Sequence, residues 1–192
     1  MTRVVVIDPQ PAVRAGLAML LRTEPGLVPV GAAEGAHDGL ELASRQRPDV
    51  VILDPQLLDG DGLGTCRRLR TLDPAPRVVL YSAGGDPSLP VTARVAGADG
   101  LVDKAAPAEE LFEAIRMVAR GASALPPLDR EQLDRAAHRV DSEDLALLAM
   151  LVDRTEPADV AATLRMDKRK LSGRIERVLG RLRSRPRRSI PA

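Results

Sequence analysis

The sequence has few aromatic residues, cysteines and histidines, and each shortage excludes a class of protein. Its 192 residues include one Tyr, one Phe, no Trp, one Cys and two His. The core must therefore be aliphatic, which an apolar fraction of 44% permits. A single cysteine, Cys66, cannot form an internal disulfide, and its place in a helical pattern predicts a small buried side chain rather than a reactive thiol. His37 and His138 have no candidate partners near them in the sequence, and with one cysteine they indicate no transition-metal site.

Long hydrophobic runs are also absent. The longest, Leu145–Val152, has eight residues, whereas a membrane-spanning helix needs about 20. The apolar stretch after Met1 ends at Asp8, which is too early for a signal peptide. We therefore expect a cytoplasmic protein without a membrane span.

Charge is distributed unevenly along the chain. Residues 1–120 hold 13 Lys+Arg and 16 Asp+Glu, whereas residues 121–192 hold 15 and 11. The densest segment, 165–188, has 11 basic residues against Asp167 and Glu176. Such a segment is expected to attract a polyanion.

The first 120 residues alternate between two hydrophobic periods. Apolar runs predict strands at 3–7, 27–33, 50–53, 77–81 and 100–102. Amphipathic spacing predicts helices at 11–21, 38–46, 63–72, 86–96 and 107–120, the fourth with Asp86 as N-cap and Pro87 as its first residue. The fold class predicted is α/β: a doubly wound, five-stranded parallel sheet, followed by a smaller all-α domain.

The third predicted strand, Val50–Leu53, is short, β-branched and flanked by prolines, as expected for a strand buried on both faces. Asp54 follows it, at the end of the sheet where open α/β folds collect functional side chains. Polar residues also follow or end three other strands: Asp8, Ser82 and Lys104. With strand order 2-1-3-4-5 these side chains meet, and a carboxylate beside an ammonium and a hydroxyl suits a phosphoryl group on an acyl oxygen.

These residues, together with GADGLVDKAAPAEELFEAIRMVARG at 97–121, resemble the receiver domain of two-component response regulators over residues 1–121. The resemblance implies that Asp54 is the phosphoacceptor and Asp8 an acid of the Mg²⁺ site. It also implies that Ser82 moves onto the phosphoryl group and that Lys104 is its ion-pair partner. Receivers of this kind usually have a sensor histidine kinase as partner, and the sequence leaves open whether this chain has one.

The chain departs from that family at the metal site. Receivers usually carry two adjacent acids after the first strand, but here Pro9 follows Asp8. Because Mg²⁺ requires near-octahedral oxygen ligation, we expect weak or absent Mg²⁺ binding at Asp8 and Asp54, and poor phosphorylation. Asp59 is either a partial replacement for the missing acid or, as we prefer, a solvated turn residue.

Two further departures lie beside the acceptor and on the fifth strand. Pro55 removes a backbone N–H next to Asp54. Leu101 stands where the family has its switch aromatic.

Residues 122–140 are predicted to be a linker, and residues 141–192 a second domain. Capping residues and acids at 141–144 precede a helical pattern, Glu156 and Pro157 open a second helix, and a third runs from Lys168 to about Leu182. This layout is typical of a helix-turn-helix. The stretch DVAATLRMDKRKLSGRIERVLGRLR at 159–183 resembles the LuxR-type DNA-binding domain of NarL/FixJ response regulators.

The resemblance places Ser172, Gly173 and Glu176 toward the bases. Gly173 has no side chain to read a base edge, and Glu176 would repel phosphates. We therefore assign DNA contact to six residues of the third helix: Lys168, Arg169, Lys170, Ser172, Arg174 and Arg177. The fourth helix that pairs two copies in this family is predicted to be absent, because Pro186 and neighbouring arginines interrupt the pattern.

The predicted function is that of a DNA-binding transcriptional regulator, not an enzyme, with a degenerate phosphoacceptor site controlled other than by phosphorylation. The alternative is a protein-interaction module that pairs with a related regulator and makes little direct contact with DNA. In either case we expect a homodimer or heterodimer through the receiver. The basis is a broad apolar stripe on the helix at 107–120: Leu111, Phe112, Ile115 and Val118.

Overall fold

The computed structural model describes residues 1–183. The described residues form two compact units, one of residues 1–86 and 96–127, the other of residues 87–95 and 128–183. The first unit ends at residue 127 and the second resumes at residue 128, so the boundary falls within the expected linker at 122–140. The domain limits at 121 and 141 stay a prediction. Among the described residues, no helix combines the length and apolar character needed to cross a membrane.

The first unit is built on a five-stranded parallel sheet. Its strands are β1 (Thr2–Ile7), β2 (Leu27–Ala33), β3 (Val50–Leu53), β4 (Arg77–Ser82) and β5 (Gly100–Asp103), in the order β2-β1-β3-β4-β5. This confirms the predicted fold class and order. In register, Ile7 pairs with Leu53 and Ser82 with Asp103. The residues that follow these strands therefore emerge at one edge of the sheet.

Five helices alternate with these strands along the chain. They are α1 (Pro11–Thr23), α2 (Ala36–Gln46), α3 (Gly62–Leu69), α4 (Leu89–Ala96) and α5 (Ala108–Ala119). The predicted first helical residue of α4, Pro87 with Asp86 as N-cap, is wrong, since residues 87–88 form a turn and the helix begins at Leu89. Pro90, rather than Pro87, occupies the first helical turn, where a proline costs no hydrogen bond.

The core of the first unit is aliphatic, as the composition requires. All four residues of β3 are at most 1% exposed, and Cys66 on α3 is fully buried, as predicted. Burial, the largest influence, raises the pKa of the Cys66 thiol to about 12.

Helix α5 packs against β4 and β5 and contributes its whole apolar stripe to this core. Leu111, Ile115 and Val118 are at most 1% exposed and Phe112 is 7% exposed. The argument that this stripe leaves a partner surface is therefore wrong, because all four side chains are buried within the first unit. Association through the receiver itself stays a prediction.

The second unit contains the C-terminal helices. They are α6 (Arg130–Ala137), α7 (Leu145–Val152), α8 (Pro157–Thr163) and α9 (Lys168–Arg183), with a 3-10 turn at Ser142–Asp144 before α7. Asp129 and Gln132 form a reciprocal cap at the start of α6. Apolar residues of α7, α8 and α9 are buried together, as the predicted helices require: Leu147, Leu148, Leu151, Val160, Leu171, Ile175, Val178, Leu179 and Leu182. The predicted absence of a fourth helix concerns residues outside the described part of the chain.

Candidate functional site

Asp8 and Asp54 lie side by side at the ends of adjacent strands. The backbone N–H of Asp54 donates to the carbonyl of Ile7 at 2.9 Å, which continues the pairing of β3 with β1 by one residue. Both carboxylates are nearly enclosed, because Asp8 is 1% and Asp54 is 7% exposed. The predicted juxtaposition of two acids at this edge is present.

Lys104 binds both carboxylates at once. Its Nζ lies 2.6 Å from Oδ2 of Asp8 and 2.5 Å from Oδ2 of Asp54. Burial lowers the pKa of Lys104, but the hydrogen bonds and charges of Asp54 and Asp8 raise it by more. The pKa of Lys104 therefore lies above its ordinary value. The site therefore holds a protonated ammonium between two acids at neutral pH.

The other carboxylate oxygens are also occupied, by backbone donors two residues further along. Oδ1 of Asp8 accepts from the N–H of Gln10 at 2.8 Å, and Oδ1 of Asp54 accepts from the N–H of Gln56 at 2.6 Å. Because Pro55 has no backbone N–H, the backbone group that donates to Asp54 is that of Gln56. Within the described residues, Oδ2 of Asp8 has no hydrogen bond of good angle. The short distance to Nζ nevertheless makes Lys104 its counter-ion.

The arrangement fits Mg²⁺ poorly. Mg²⁺ prefers several oxygen ligands in octahedral geometry, but the ammonium of Lys104 already stands between the two carboxylates, and Pro9 has no oxygen in its side chain. Asp59 does not replace the missing acid. Its carboxylate accepts from the N–H groups of Ala36 (2.7 Å) and His37 (3.2 Å), which lower its pKa and cap α2.

Ser82 is the fourth predicted member of this site. It ends β4 and is 6% exposed. Its carbonyl accepts from the backbone N–H of Lys104 at 2.7 Å, which fixes where the lysine side chain starts. The structure thus brings Asp8, Asp54, Ser82 and Lys104 to one place.

Sequence reasoning missed two residues beside the site. The ring of Tyr81 lies 5.8 Å from Nζ of Lys104, and burial of the phenol is the main cause of its raised pKa. The guanidinium of Arg14, on α1, donates to the carbonyls of Asp8 (2.7 Å) and Pro9 (3.0 Å) and holds their loop closed. The available signals were the position of Tyr81 directly before Ser82 and a basic residue one turn into α1.

The second predicted site lies on α9, where the six assigned residues fall into two groups. Lys168, Arg169, Lys170 and Arg177 are exposed, whereas Ser172 and Arg174 are half-buried. Among the described residues, Lys168, Arg169 and Arg177 make no ion pair. Lys170 lies beside Asp167, whose Oδ1 accepts from its N–H at 2.8 Å and whose pKa this lowers.

Arg174 is engaged within the second unit. Its guanidinium pairs with Asp144, donates to the carbonyl of Glu143 and lies 3.9 Å from Sδ of Met166. Asp144 is 1% exposed, so this pair fastens the 3-10 turn to α9. Arg181 pairs with Asp141 of the same acidic segment. DNA contact by Arg174 stays a prediction, but its donors already have partners.

Comparison with known proteins adds independent information. Residues 4–116 match the family model described as the response regulator receiver domain. Response regulator GacA of Pseudomonas aeruginosa is 35% identical over 133 residues, which is 69% of this chain and 62% of that protein. The DNA-binding transcriptional activator DevR/DosR of Mycobacterium tuberculosis is 32% identical over 173 residues, 90% of this chain and 73% of that protein.

A solved structure shows the same relationship. A two-component response regulator of the LuxR family from Aurantimonas sp. SI85-9A1 superposes with a TM-score of 0.62 and 30% identity. The match covers 66% of this chain and 91% of that one. The chain spans less than two thirds of the length of GacA.

Proposed function

The chain belongs to the response regulator family, in its NarL/LuxR type, and from this premise we propose that it is a transcription regulator that binds duplex DNA. The observation that carries the proposal is the exposed basic face of α9, where Lys168, Arg169 and Arg177 make no ion pair among the described residues. Cations on a helix that follows a short helix and a turn suit the phosphates that border the major groove. DevR/DosR, which is named as a DNA-binding activator, aligns with 90% of the chain and supports the same role.

We further propose that the receiver is controlled other than by phosphorylation of Asp54. Lys104 already occupies Oδ2 of Asp54, and the backbone of Gln56 occupies Oδ1, so an incoming phosphoryl group would have to displace one of them. With Pro9 in place of a second acid, charge that develops during transfer would meet one ammonium and no well-ligated metal. We expect Mg²⁺ to bind Asp8 and Asp54 weakly if it binds there.

The second candidate function is a partner module that pairs with a related regulator and rarely contacts DNA. The ion pair of Arg174 with Asp144 favours this second function, because it engages one of the six residues assigned to DNA contact within the second unit. Glu176 is exposed on the same helix and would repel phosphates.

DNA binding by the full chain at increasing salt separates the two functions. Each phosphate neutralised by Lys or Arg makes the slope of log affinity against log salt more negative by about 0.9, so three contacts predict a slope of about −3. Each of three single variants should make that slope less negative by about one: Lys168→Ala, Arg169→Ala and Arg177→Ala. Arg45→Ala, at an exposed position of α2, is the matched control and should leave the slope unchanged. Affinity that is undetectable or independent of salt favours the partner module.

We also propose that the receiver associates, with a second copy or with a related regulator. The exposed apolar side chains on its surface include Met19 and Leu20 of α1, which are 64% and 38% exposed. Sedimentation velocity of the full chain tests this proposal: a dimer that Met19→Glu dissociates supports it, and a monomer at all concentrations contradicts self-association.

A further inference from the structure

The basic face of α9 contains a recess whose lining includes a glycine. The recess has a volume of about 730 Å³ and is lined by α9, by the turn before it, which contributes Asp167, and by the acidic segment before α7. Its lining includes Arg169, Lys170, Gly173 and Arg177 from α9, with Met166 from the turn and Glu143 from the acidic segment. The recess therefore lies on the surface to which the proposed function assigns DNA.

Nothing in the fold of the second unit requires glycine at position 173. A Cβ built there meets no atom within 4 Å, and its φ lies outside the left-handed region. Glycine in a helix interior is destabilising relative to alanine, because it loses more backbone freedom on folding. Helix stability would therefore favour another residue at this position.

The neighbours of Gly173 indicate what the missing side chain permits. Arg169 and Arg177 lie four residues before and after it, so the three positions share one ridge of the helix. Eight residues at 1.5 Å each separate the two arginines by about 12 Å along the axis, close to the width of the DNA major groove. Long cationic side chains thus flank a point where the helix backbone is bare.

A glycine on a binding surface allows the backbone to approach a ligand closely. In helix-turn-helix proteins the N-terminal part of the recognition helix meets the base edges. Gly173 lies in that first half of α9, whereas Gly180 lies near its end. A Cβ at Gly180 also meets no atom within 4 Å, but Gly180 is exposed and does not line the recess, whereas Gly173 is half-buried and does.

We propose that Gly173 is a specificity-determining residue: its bare backbone lets α9 seat against the base edges of duplex DNA while Arg169 and Arg177 hold the phosphates on either side. The inference rests on the proposed DNA-binding function. A side chain at position 173 would hold the helix away from the bases, and the loss would fall mainly on base readout, since phosphates are reached by long flexible side chains.

The test compares substitutions at the two glycines in the full chain. A duplex is first selected from a random-sequence pool by the unsubstituted protein. Affinity is then measured for that duplex and for a scrambled duplex of the same composition, with Gly173→Ala, Gly173→Leu, Gly180→Ala and Gly180→Leu. Thermal unfolding verifies that all four fold, and both alanine variants should unfold at or above the temperature of the parent.

We expect Gly173→Leu to weaken binding to the selected duplex about tenfold or more, the loss of one good base contact, and to reduce the preference over the scrambled duplex. Gly173→Ala should show a smaller loss of the same kind, and both Gly180 variants should bind within about twofold of the parent. Equal effects at positions 173 and 180, or an unchanged preference with Gly173→Leu, would overturn the inference while leaving DNA binding intact. A parent protein that binds duplex DNA but selects no sequence would also overturn the inference, whereas one that binds no duplex at any salt concentration would refute the proposed function.

Discussion

Replacing Lys104 by methionine is the most informative perturbation of the receiver. The substitution keeps a long side chain but removes the ammonium that lies 2.6 Å from Asp8 and 2.5 Å from Asp54. Their Oδ2 atoms are then at most roughly 5 Å apart with no cation between them, and like charges at that distance oppose ionisation of both groups. We expect the variant to be destabilised because two enclosed carboxylates lose their counter-ion.

The size of this loss of stability follows from the burial of the ion pairs that Lys104 makes. Removing one partner of a buried ion pair costs about 3–5 kcal/mol, and the 12% exposure of the Lys104 side chain places this site at the lower end. A loss of about 3 kcal/mol lowers the melting temperature of a chain of this size by about 6–12 °C. The matched control is Arg45→Met. It breaks an exposed pair with Glu41 and should cost under about 0.5 kcal/mol.

The dependence on pH distinguishes charge repulsion from lost packing. In Lys104→Met one carboxylate should hold a proton more readily in the folded than in the unfolded state, so the deficit should be small near pH 4 and grow as pH rises to 7. In the parent the pKa of Lys104 is raised, so its contribution is complete below the unfolded value of about 10.4 and is lost only above it.

Urea unfolding at pH 4, 5.5 and 7 measures this dependence. Asp8→Asn combined with Lys104→Met should restore most of the stability at pH 7, because one of the two like charges is gone. A deficit no larger than that of Arg45→Met, or one that does not vary with pH, would refute the view that Lys104 holds the two acids together.

Three other predictions concern different parts of the chain. Arg174→Ala should destabilise the second unit by about 3 kcal/mol in urea unfolding, because it leaves Asp144 buried and unpaired, whereas Arg169→Ala should leave stability unchanged; equal stability of the two variants would contradict this. Pro9→Asp should strengthen Mg²⁺ binding measured by calorimetry and increase labelling by small phosphodonors, because it supplies an oxygen ligand, and stoichiometric labelling of the unsubstituted chain would be evidence against the degenerate site. Cys66, with a thiol pKa of about 12 and no exposure, should react with iodoacetamide at pH 8 only when urea unfolds the chain, and rapid reaction of the native protein would show that it is accessible.

Much of the receiver fold follows from the sequence because its signals are strong and local. The strand Val50–Leu53 was predicted with its observed limits, since a β-branched run between prolines has few alternatives. The meeting of Asp8, Asp54, Ser82 and Lys104 follows from strand order alone. The predicted first residue of α4 lies two residues too early, because two prolines, Pro87 and Pro90, could each occupy a first helical turn.

Side-chain partners were less predictable, because they depend on tertiary geometry. Arg174 and Arg169 are both basic residues of the same predicted helix, and the sequence does not distinguish them. Arg174 nevertheless pairs with Asp144, 30 residues away, and the spacing of charges does not reveal that partner. The stripe of α5 looks too broad for one interface in the sequence, but all four of its apolar side chains are buried in the core of the first unit. Asp59 caps a helix 22 residues earlier in the chain, a contact that only the folded arrangement shows.

The central claim is that this regulator binds DNA without needing phosphorylation at Asp54. The most direct test is the affinity of the full chain for its selected duplex, measured with and without prior incubation with acetyl phosphate and Mg²⁺, with intact-mass analysis of the same samples. We predict salt-dependent binding of equal strength in both samples and no gain of a phosphoryl group. Binding that appears only after treatment, together with a phosphoryl group on Asp54, would contradict the account.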